Sequence, residues 1–376
     1  MNDRRPVAII AIVVAVCWCF STPVGAAQGD SATSKLTTGE EIYHAGCAGC
    51  HGPGGEGAAE TTIGFEKPDT FPDFTRCDQT TVEQDVDWRA TIHDGGHGRG
   101  FSPIMPSFSE ALTPSQIDAV IRYLRSFCRE TWPRGELNLP RPLTTEKAFP
   151  ESETVLTTAV TAHHAPEVTQ ALVYEHRFGR QNQLEVSIPF GFLRDESGAI
   201  TGGVDDIGFG LKHVLFSSRN SIVSAQGEVI LPTGNRSEGF GTGVTTFEAF
   251  AAYGQLLPAH TFVQLQGGTE QPTSTEETPR AVFGRLAVGK SFREENGLGR
   301  LWSPMFELVA DRDLETGART NFDVVPQFQV TLSRRQHVRA NVGVQIPVTN
   351  TSGRSTQVVF YLLWDWFDGG LLEGWR

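Results

Sequence analysis

Residues 183–192 read Gln-Leu-Glu-Val-Ser-Ile-Pro-Phe-Gly-Phe, and this stretch indicates the fold of the longer part of the chain. Its apolar side chains occupy the even positions from Leu184 to Phe192, whereas Gln183, Glu185 and Ser187 occupy odd positions. Successive side chains of a β-strand point to opposite faces of the sheet. The alternation therefore predicts a strand with one apolar and one polar face.

The same alternation recurs between residues 152 and 367, where we count about twelve segments of about ten residues. Clear examples lie at 223–231, 322–333 and 337–348. Strands of this length cross a bilayer obliquely. The region is therefore predicted to be an all-β antiparallel outer-membrane barrel of about 12 strands. A water-soluble β-sandwich shows alternation too, so alternation alone leaves that alternative open.

The connections between these segments differ in length and composition. One set is short, and the set between them is longer and rich in Gly, Thr, Ser and Glu. The short turns are 179–182, 217–220 and 334–336, and the longer loops are 194–204, 232–244 and 271–279. Short turns on one side and long loops on the other are typical of outer-membrane barrels, with the short turns in the periplasm. With an even strand number, both ends of the barrel fall on the short-turn side.

The first 27 residues predict export. Arg4 and Arg5 precede an apolar run at 7–20, and small residues follow at 25–27. This is the pattern of a cleaved signal peptide, and the run is shorter than the roughly 20 residues that a spanning helix needs. Any later membrane span is expected to be made of strands. The net charge of −13 argues against a nucleic-acid partner, because phosphate neutralisation needs clustered Lys and Arg.

Ahead of the β-rich region, Cys47-Ala48-Gly49-Cys50-His51 has the pattern C-x-x-C-H. Two thiols at this spacing add to the vinyl groups of one haem, and the next residue supplies an axial imidazole to the iron. The alternatives are a redox C-x-x-C pair or half of a zinc site, but a second C-x-x-C is missing from the sequence. The motif therefore predicts one covalently attached haem c.

The context of the motif resembles a class I cytochrome c domain. A capped helix start at 37–43 leads into the attachment site, and a glycine-rich loop follows at 52–55. The resemblance runs from about Lys35 to Arg129. It implies an all-α domain that transfers electrons, with a methionine on a loop before the last helix as the sixth iron ligand.

Met105 stands at the position that the resemblance implies for that ligand, within residues 102–108 and ahead of a helix that begins near Thr113-Pro114. Iron ligation is thus predicted through His51 and Met105. His93 and His97 also precede this loop, and either imidazole could replace the thioether.

Two further cysteines, Cys77 and Cys128, remain in the exported chain. A disulfide can form and persist between them in an oxidising compartment. The alternative is two buried free thiols.

These features divide the chain into a signal peptide (1–27), a cytochrome c domain (35–131), a proline-rich linker (132–151), the barrel (152–367) and a C-terminal tail (368–376).

Within the barrel, residues 207–212 and 229–234 resemble the phenol-degradation MetA-like group of outer-membrane barrels. This resemblance covers two strands and a loop and carries no chemistry.

The whole chain is expected to be an electron carrier and not an enzyme, because Met105 would block the open iron position that a peroxidase needs. The combination resembles fused cytochrome-porin proteins. The predicted function is one-electron transfer at the periplasmic side of the outer membrane, with membrane lipid and a periplasmic or extracellular redox protein as partners. Two alternatives are a small-solute porin with a docked or gating cytochrome, and a soluble periplasmic cytochrome with a β-sandwich binding module.

Overall fold

The computed structural model describes residues 36–59, 63–68, 71–161, 167–194, 199–293 and 301–366. The predicted signal peptide and C-terminal tail lie outside these ranges. Every helix within them is too short or too polar to cross a membrane.

Five α-helices lie in the described N-terminal region. They are α1 Gly39–Gly46, α2 Ala48–His51, α3 Cys77–Thr80, α4 Asp85–Gly98 and α5 Pro114–Arg125.

Reciprocal capping bonds begin the two helices that were predicted from their start signals. The Thr38 hydroxyl accepts from the backbone N–H of Glu41, whose carboxylate accepts from the backbone N–H of Thr38. Helix α5 begins in the same way at Thr113 and Gln116, with a proline in its first turn.

Helices α1 and α5 form the core of the N-terminal region. Ile42 and Tyr43 of α1 pack in one cluster with Ile117, Val120 and Ile121 of α5. All five side chains are almost fully buried. Burial of this size contributes about 1.5–3 kcal/mol for each large apolar side chain.

The predicted disulfide is confirmed. Cys77 in α3 is bonded to Cys128, which follows α5, across 51 residues of sequence. Closing a loop of this length stabilises the folded state by about 4 kcal/mol through the lost entropy of the unfolded chain.

Fourteen strands lie in the described C-terminal region. They are β1 Glu153–Thr161, β2 Val168–Phe178, β3 Asn182–Arg194, β4 Ile200–Val204, β5 Ile207–Ser217, β6 Ser221–Leu231, β7 Thr246–Leu256, β8 Thr261–Pro272, β9 Ala281–Lys290, β10 Phe292–Arg293, β11 Leu301–Asp313, β12 Asn321–Thr331, β13 Val338–Pro347 and β14 Gln357–Asp365.

Twelve of these described strands close into an antiparallel barrel, which confirms the predicted fold. Closure is made by β1 and β14, which pair from Glu153–Asp365 through to Thr161–Gln357. The short strands β4 and β10 are accessory and pair with β3 and β11. Because the first and last strands pair with each other, the β-sandwich alternative is wrong.

The barrel is apolar outside and polar inside. On β3, Gln183 and Glu185 face inward and are 0% and 6% exposed, whereas Leu184 and Phe192 face outward and are 42% and 49% exposed. Apolar side chains are exposed on the outer face all around the barrel: Leu211, Phe247, Leu265, Phe306, Val342 and Phe360. A contiguous apolar belt of this kind is unfavourable in water and is matched by lipid.

The end of the proline-rich region runs through the inside of the barrel. Residues 135–151, here called the lumen segment, enter and leave at the short-turn end and are mostly buried. Glu307 of β11 accepts backbone N–H bonds from Leu143, Thr144 and Thr145. Gln264 of β8 donates to the backbone carbonyl of Pro140 at 2.8 Å.

Ion pairs hold the same segment. Arg141 is paired with Glu153 of β1 and Glu175 of β2, both at 2.9 Å. Lys147 is paired with Glu151 and Glu153. Each of these side chains is at least nine-tenths buried, so the pairs compensate one another for lost hydration.

The helical region sits at the short-turn end of the barrel. Arg335, in the turn between β12 and β13, donates to the carbonyl of Gly100. Arg293 of β10 donates to Gln84 at the start of α4. The first residue of β1 and the last residue of β14 lie at this same end, so the helices are close to the barrel's chain entry.

Candidate haem site

The C-x-x-C-H motif forms a single helical turn. The backbone N–H of Cys47 bonds to the Tyr43 carbonyl as α1 ends, and α2 carries Cys50 and His51. The backbone N–H of His51 bonds to the Cys47 carbonyl at 2.9 Å. Residues three and four apart share one helix face, so this turn directs both thiols and the imidazole to the same side.

Tyr43 holds the end of this turn. Its hydroxyl donates to the carbonyl of Gly52 at 2.6 Å, and its side chain is fully buried. Burial raises the pKa of Tyr43, so the phenol stays neutral and remains a donor. Gly52 has φ +76°, a conformation that favours glycine, and it ends α2 directly after His51.

A cavity of about 310 Å³ lies between α1, α4 and the loop after α4. The structure brings all four residues predicted to hold the haem to its walls: Cys47, Cys50, His51 and Met105. Most of the remaining wall is apolar, and it includes Phe71, Phe74, Trp88, Ile92, Phe101 and Leu124. A site of this kind suits a flat, apolar ring.

The His51 imidazole is prepared to act as a ligand. It lies against the rings of Phe71 and Phe74, with centroid distances of 5.1 and 5.2 Å. Burial lowers the pKa of His51 to about 4, so the ring is neutral at physiological pH. Its Nδ1 atom is buried and has no hydrogen-bond partner among the described residues.

Cys47 and Cys50 line the cavity beside His51. Burial raises the pKa of Cys47 to about 11, so this sulfur is uncharged at neutral pH. With the unpartnered imidazole nitrogen and the thioether of Met105, these side chains fit a covalently bound haem c. Bound there, the group would supply an iron that changes oxidation state by one electron.

The loop that carries Met105 is tied back to α4. The backbone N–H of Gly96 bonds to the Met105 carbonyl at 3.1 Å, and the N–H of Met105 bonds to the Ser102 carbonyl. Gly95 has φ +77°, and a Cβ there would lie 2.9 Å from the Met105 carbonyl oxygen. Only glycine allows this close approach.

The two alternative imidazoles occupy other positions. His93 Nδ1 lies 2.6 Å from a carboxylate oxygen of Asp94, and His97 is exposed. Their neighbours Ile92 and Gly96 line the cavity, but neither imidazole is among the described residues that do.

Several wall residues had no sequence signal. Phe71 and Phe74 fall in a loop without helical periodicity, and Phe101 is one aromatic residue among many. Only the fold brings them to the motif. Phe71 and Phe74 contact His51 from positions 20 and 23 residues away in sequence, and Phe101 lines the same cavity from 50 residues away.

Comparison with known families identifies the helical region. Residues 36–127 match the family model for cytochrome c. Residues 36–127 are a cytochrome c domain. The matched range includes Cys47, Cys50, His51 and Met105. It ends one residue before the disulfide-bonded Cys128.

The barrel is similar to solved outer-membrane proteins. For a KdgM porin the identity is 9%, with 57% of this chain and 99% of that chain covered and a TM-score of 0.40. For the COG4313 outer membrane channel from Pseudomonas putida F1, the identity is 14%, the coverage is 60% and 99%, and the TM-score is 0.41. No curated protein matches the chain. The barrel assignment rests on the strand pairing itself.

Proposed function

We propose that this protein carries a single haem c at the short-turn end of an outer-membrane barrel and transfers one electron at a time there. The observation that supports this most strongly is the meeting of two thiols, one imidazole and one thioether on the walls of one cavity. The cytochrome c domain implies electron transfer.

Each of the four residues has one role in this proposal. Cys47 and Cys50 would hold the haem through thioether bonds, and His51 and Met105 would ligate its iron. A methionine opposite a histidine gives a higher potential than two histidines. With His51 and Met105 both bound to the iron, substrate could not reach it, and electron transfer would be favoured over enzymatic turnover.

The outward apolar face supports placement in the outer membrane. A soluble barrel would turn its polar face to water, but here the buried face is polar and the exposed face is apolar. Short turns of such barrels face the periplasm. The cytochrome domain contacts that end through Arg335 and Arg293, so we place the haem in the periplasm.

The lumen segment argues against the small-solute porin. Residues 135–151 occupy the short-turn half of the lumen, and they are held there by buried ion pairs and by Glu307. In this conformation, the barrel is better suited to anchor the cytochrome at the membrane than to pass solutes.

The test uses the full-length protein purified from outer membranes in detergent. We expect one haem per chain by iron and pyridine haemochrome analysis, and a redox titration that follows a one-electron Nernst curve. Two haems per chain, a two-electron slope, or recovery of the protein in the detergent-free soluble fraction would contradict the proposal.

A further inference from the structure

A row of carboxylates crosses the inner face of the barrel. Ten neighbouring strands each contribute one residue to this row, and each residue lies directly opposite the next. Eight of the ten residues are acidic, and the other two are the small residues Gly210 and Ala281. In the order of the paired strands, the acids are Asp365, Glu153, Glu175, Glu185, Glu228, Glu248, Glu270 and Asp313. All of them lie on inward-facing strand positions.

The row runs from the short-turn end of the barrel to the long-loop end. Glu153 is the first residue of β1 and Asp365 the last of β14, so both lie at the short-turn end. Asp313 is the last residue of β11, at the long-loop end. Barrel strands tilt against the barrel axis, so a row that runs straight across them rises from one end to the other. The acids therefore form a rising path along the lumen wall.

Directly opposed like charges destabilise a sheet unless something compensates them. In the half of the row nearer the short-turn end, the lumen segment compensates the acids. Arg141 pairs with Glu153 and Glu175, and Lys147 pairs with Glu153. In the half nearer the long-loop end, Glu228, Glu248 and Glu270 form no ion pair within the described part of the chain. Arg285 of β9 faces Glu248 and Glu270, but it donates to the Thr144 carbonyl and to Gln266.

Between the two halves, Glu146 of the lumen segment meets Glu175 and Glu185. One carboxylate oxygen of each lies within 4.8 Å of the others. Arg141 takes one oxygen of Glu146 at 2.9 Å and also binds Glu175. Lys147 and Lys212 also face this group, and Lys212 Nζ lies 3.5 Å from Gln183 Oε1.

Gln226 completes this group from β6. It is 3% exposed, and its Nε2 donates to Glu185 at 3.2 Å. Gly210 is the non-acidic position between Glu185 and Glu228 in the row. The amide nitrogen of Gln226 lies beside it, 2.9 Å from where a Cβ on Gly210 would be. Because the nitrogen is bound to a carboxylate, the oxygen is the free end of the amide.

Two buried acceptor atoms at this place lack a donor among the described residues: Gln226 Oε1 and Glu146 Oε2. A buried acceptor without a partner is costly. Because both atoms are acceptors, the partner that suits them is electropositive. Carboxylate and amide oxygens together form the ligand set of a hard divalent cation.

We propose that the lumen binds one hard divalent cation, of the Ca²⁺ and Mn²⁺ class, at Glu146, Glu175, Glu185 and Gln226. The unpaired acids Glu228, Glu248 and Glu270 lead to the site from the long-loop mouth. The cation would lie against the tip of the lumen segment and bridge it to β2, β3 and β6. This site goes beyond the proposed electron transfer and does not depend on it.

The test titrates the full-length, haem-loaded protein in detergent with Mn²⁺ and follows free Mn²⁺ by electron paramagnetic resonance. We expect one saturable Mn²⁺ per chain, displaced by Ca²⁺. Glu185→Gln should weaken Mn²⁺ binding at least about tenfold, since loss of even an outer-shell partner costs that much. Glu315→Gln is the matched control, because it removes the same charge from an exposed loop, and it should leave the affinity unchanged.

Glu146→Gln provides a second variant outside the barrel strands, at a side chain that is 22% exposed. It should weaken Mn²⁺ binding without preventing barrel assembly, which the heat-dependent mobility of barrels on gels reports. Equal affinity in all variants, or only non-saturable binding in the wild type, would overturn the site. The haem spectrum of the same samples reports separately on the proposed electron transfer.

Discussion

The Arg335 side chain of the barrel donates two hydrogen bonds to the carbonyl of Gly100 in the cytochrome c domain. Its Nε and Nη2 atoms lie 3.3 and 3.1 Å from the oxygen. Its guanidinium also lies 4.7 Å from the ring centre of Phe101, which lines the haem cavity. The backbone N–H of Phe101 bonds to Gly96, which in turn bonds to the carbonyl of Met105. Three contacts thus connect the barrel turn to the proposed iron ligand.

Replacing Arg335 with Ala should loosen the loop that positions Met105. A hydrogen bond from a charged group contributes about 1.5–3 kcal/mol, so part of the population should lose the methionine ligand. We expect a lower midpoint potential and easier binding of imidazole to ferric iron. Arg334→Ala is the control, because this neighbouring arginine is exposed. Identical potentials in both variants would show that the barrel does not influence the ligand.

Covalent haem attachment should depend on both motif thiols. Cys47→Ser with Cys50→Ser should abolish haem staining on a denaturing gel, because the thioether bonds cannot form. The control is the pair Cys77→Ser and Cys128→Ser, which should keep the stain but lose about 4 kcal/mol of stability. Full staining of the first double variant would refute c-type attachment.

The second iron ligand can be read from the ferric spectrum. Met105→Ala should remove the weak sulfur-to-iron band in the red and open the iron to external ligands, whereas Met105→His should give a low-spin haem of lower potential. Met305→Leu is the control, since this other internal methionine lies in the barrel core. If His93 or His97 were the ligand, Met105→Ala would leave spectrum and potential unchanged.

The lumen segment should stabilise the barrel through Arg141. Arg141→Ala leaves the buried carboxylate of Glu175 without its ion pair, whereas Glu153 keeps Lys147, and this should cost about 3–5 kcal/mol. Thermal unfolding in detergent, followed by circular dichroism, would measure the loss. Arg180→Ala, in the exposed turn between β2 and β3, should change the midpoint little. A stability equal to that of the control would mean that the segment is not anchored by these pairs.

Orientation can be tested on intact cells. An added protease should cut the exposed loop at 232–244 and spare the domain around His51, because the long loops are proposed to face outward. After the outer membrane is opened, the cytochrome domain should become accessible as well. Cleavage of that domain in intact cells would reverse the proposed orientation.

Local patterns sufficed for the parts of the protein that one segment builds alone. The C-x-x-C-H turn needs only residues 47–51, because helical spacing places the two thiols and the imidazole on one face. Alternation on β3 showed which side chains face inward, since the period of a strand is two. The number of such segments predicted about twelve strands, whereas their closure into a barrel is shown by the pairing of β1 with β14.

The tertiary structure decided what depends on distant pairing. Glu153, Glu175 and Glu185 lie on three strands, and only the register of those strands makes them neighbours in one row. The proline-rich composition of 132–151 predicted an extended linker, but its path through the lumen depends on partners such as Glu307, more than 150 residues away. Sequence spacing has no information on such contacts, because side chains far apart along the chain meet only after the barrel has closed.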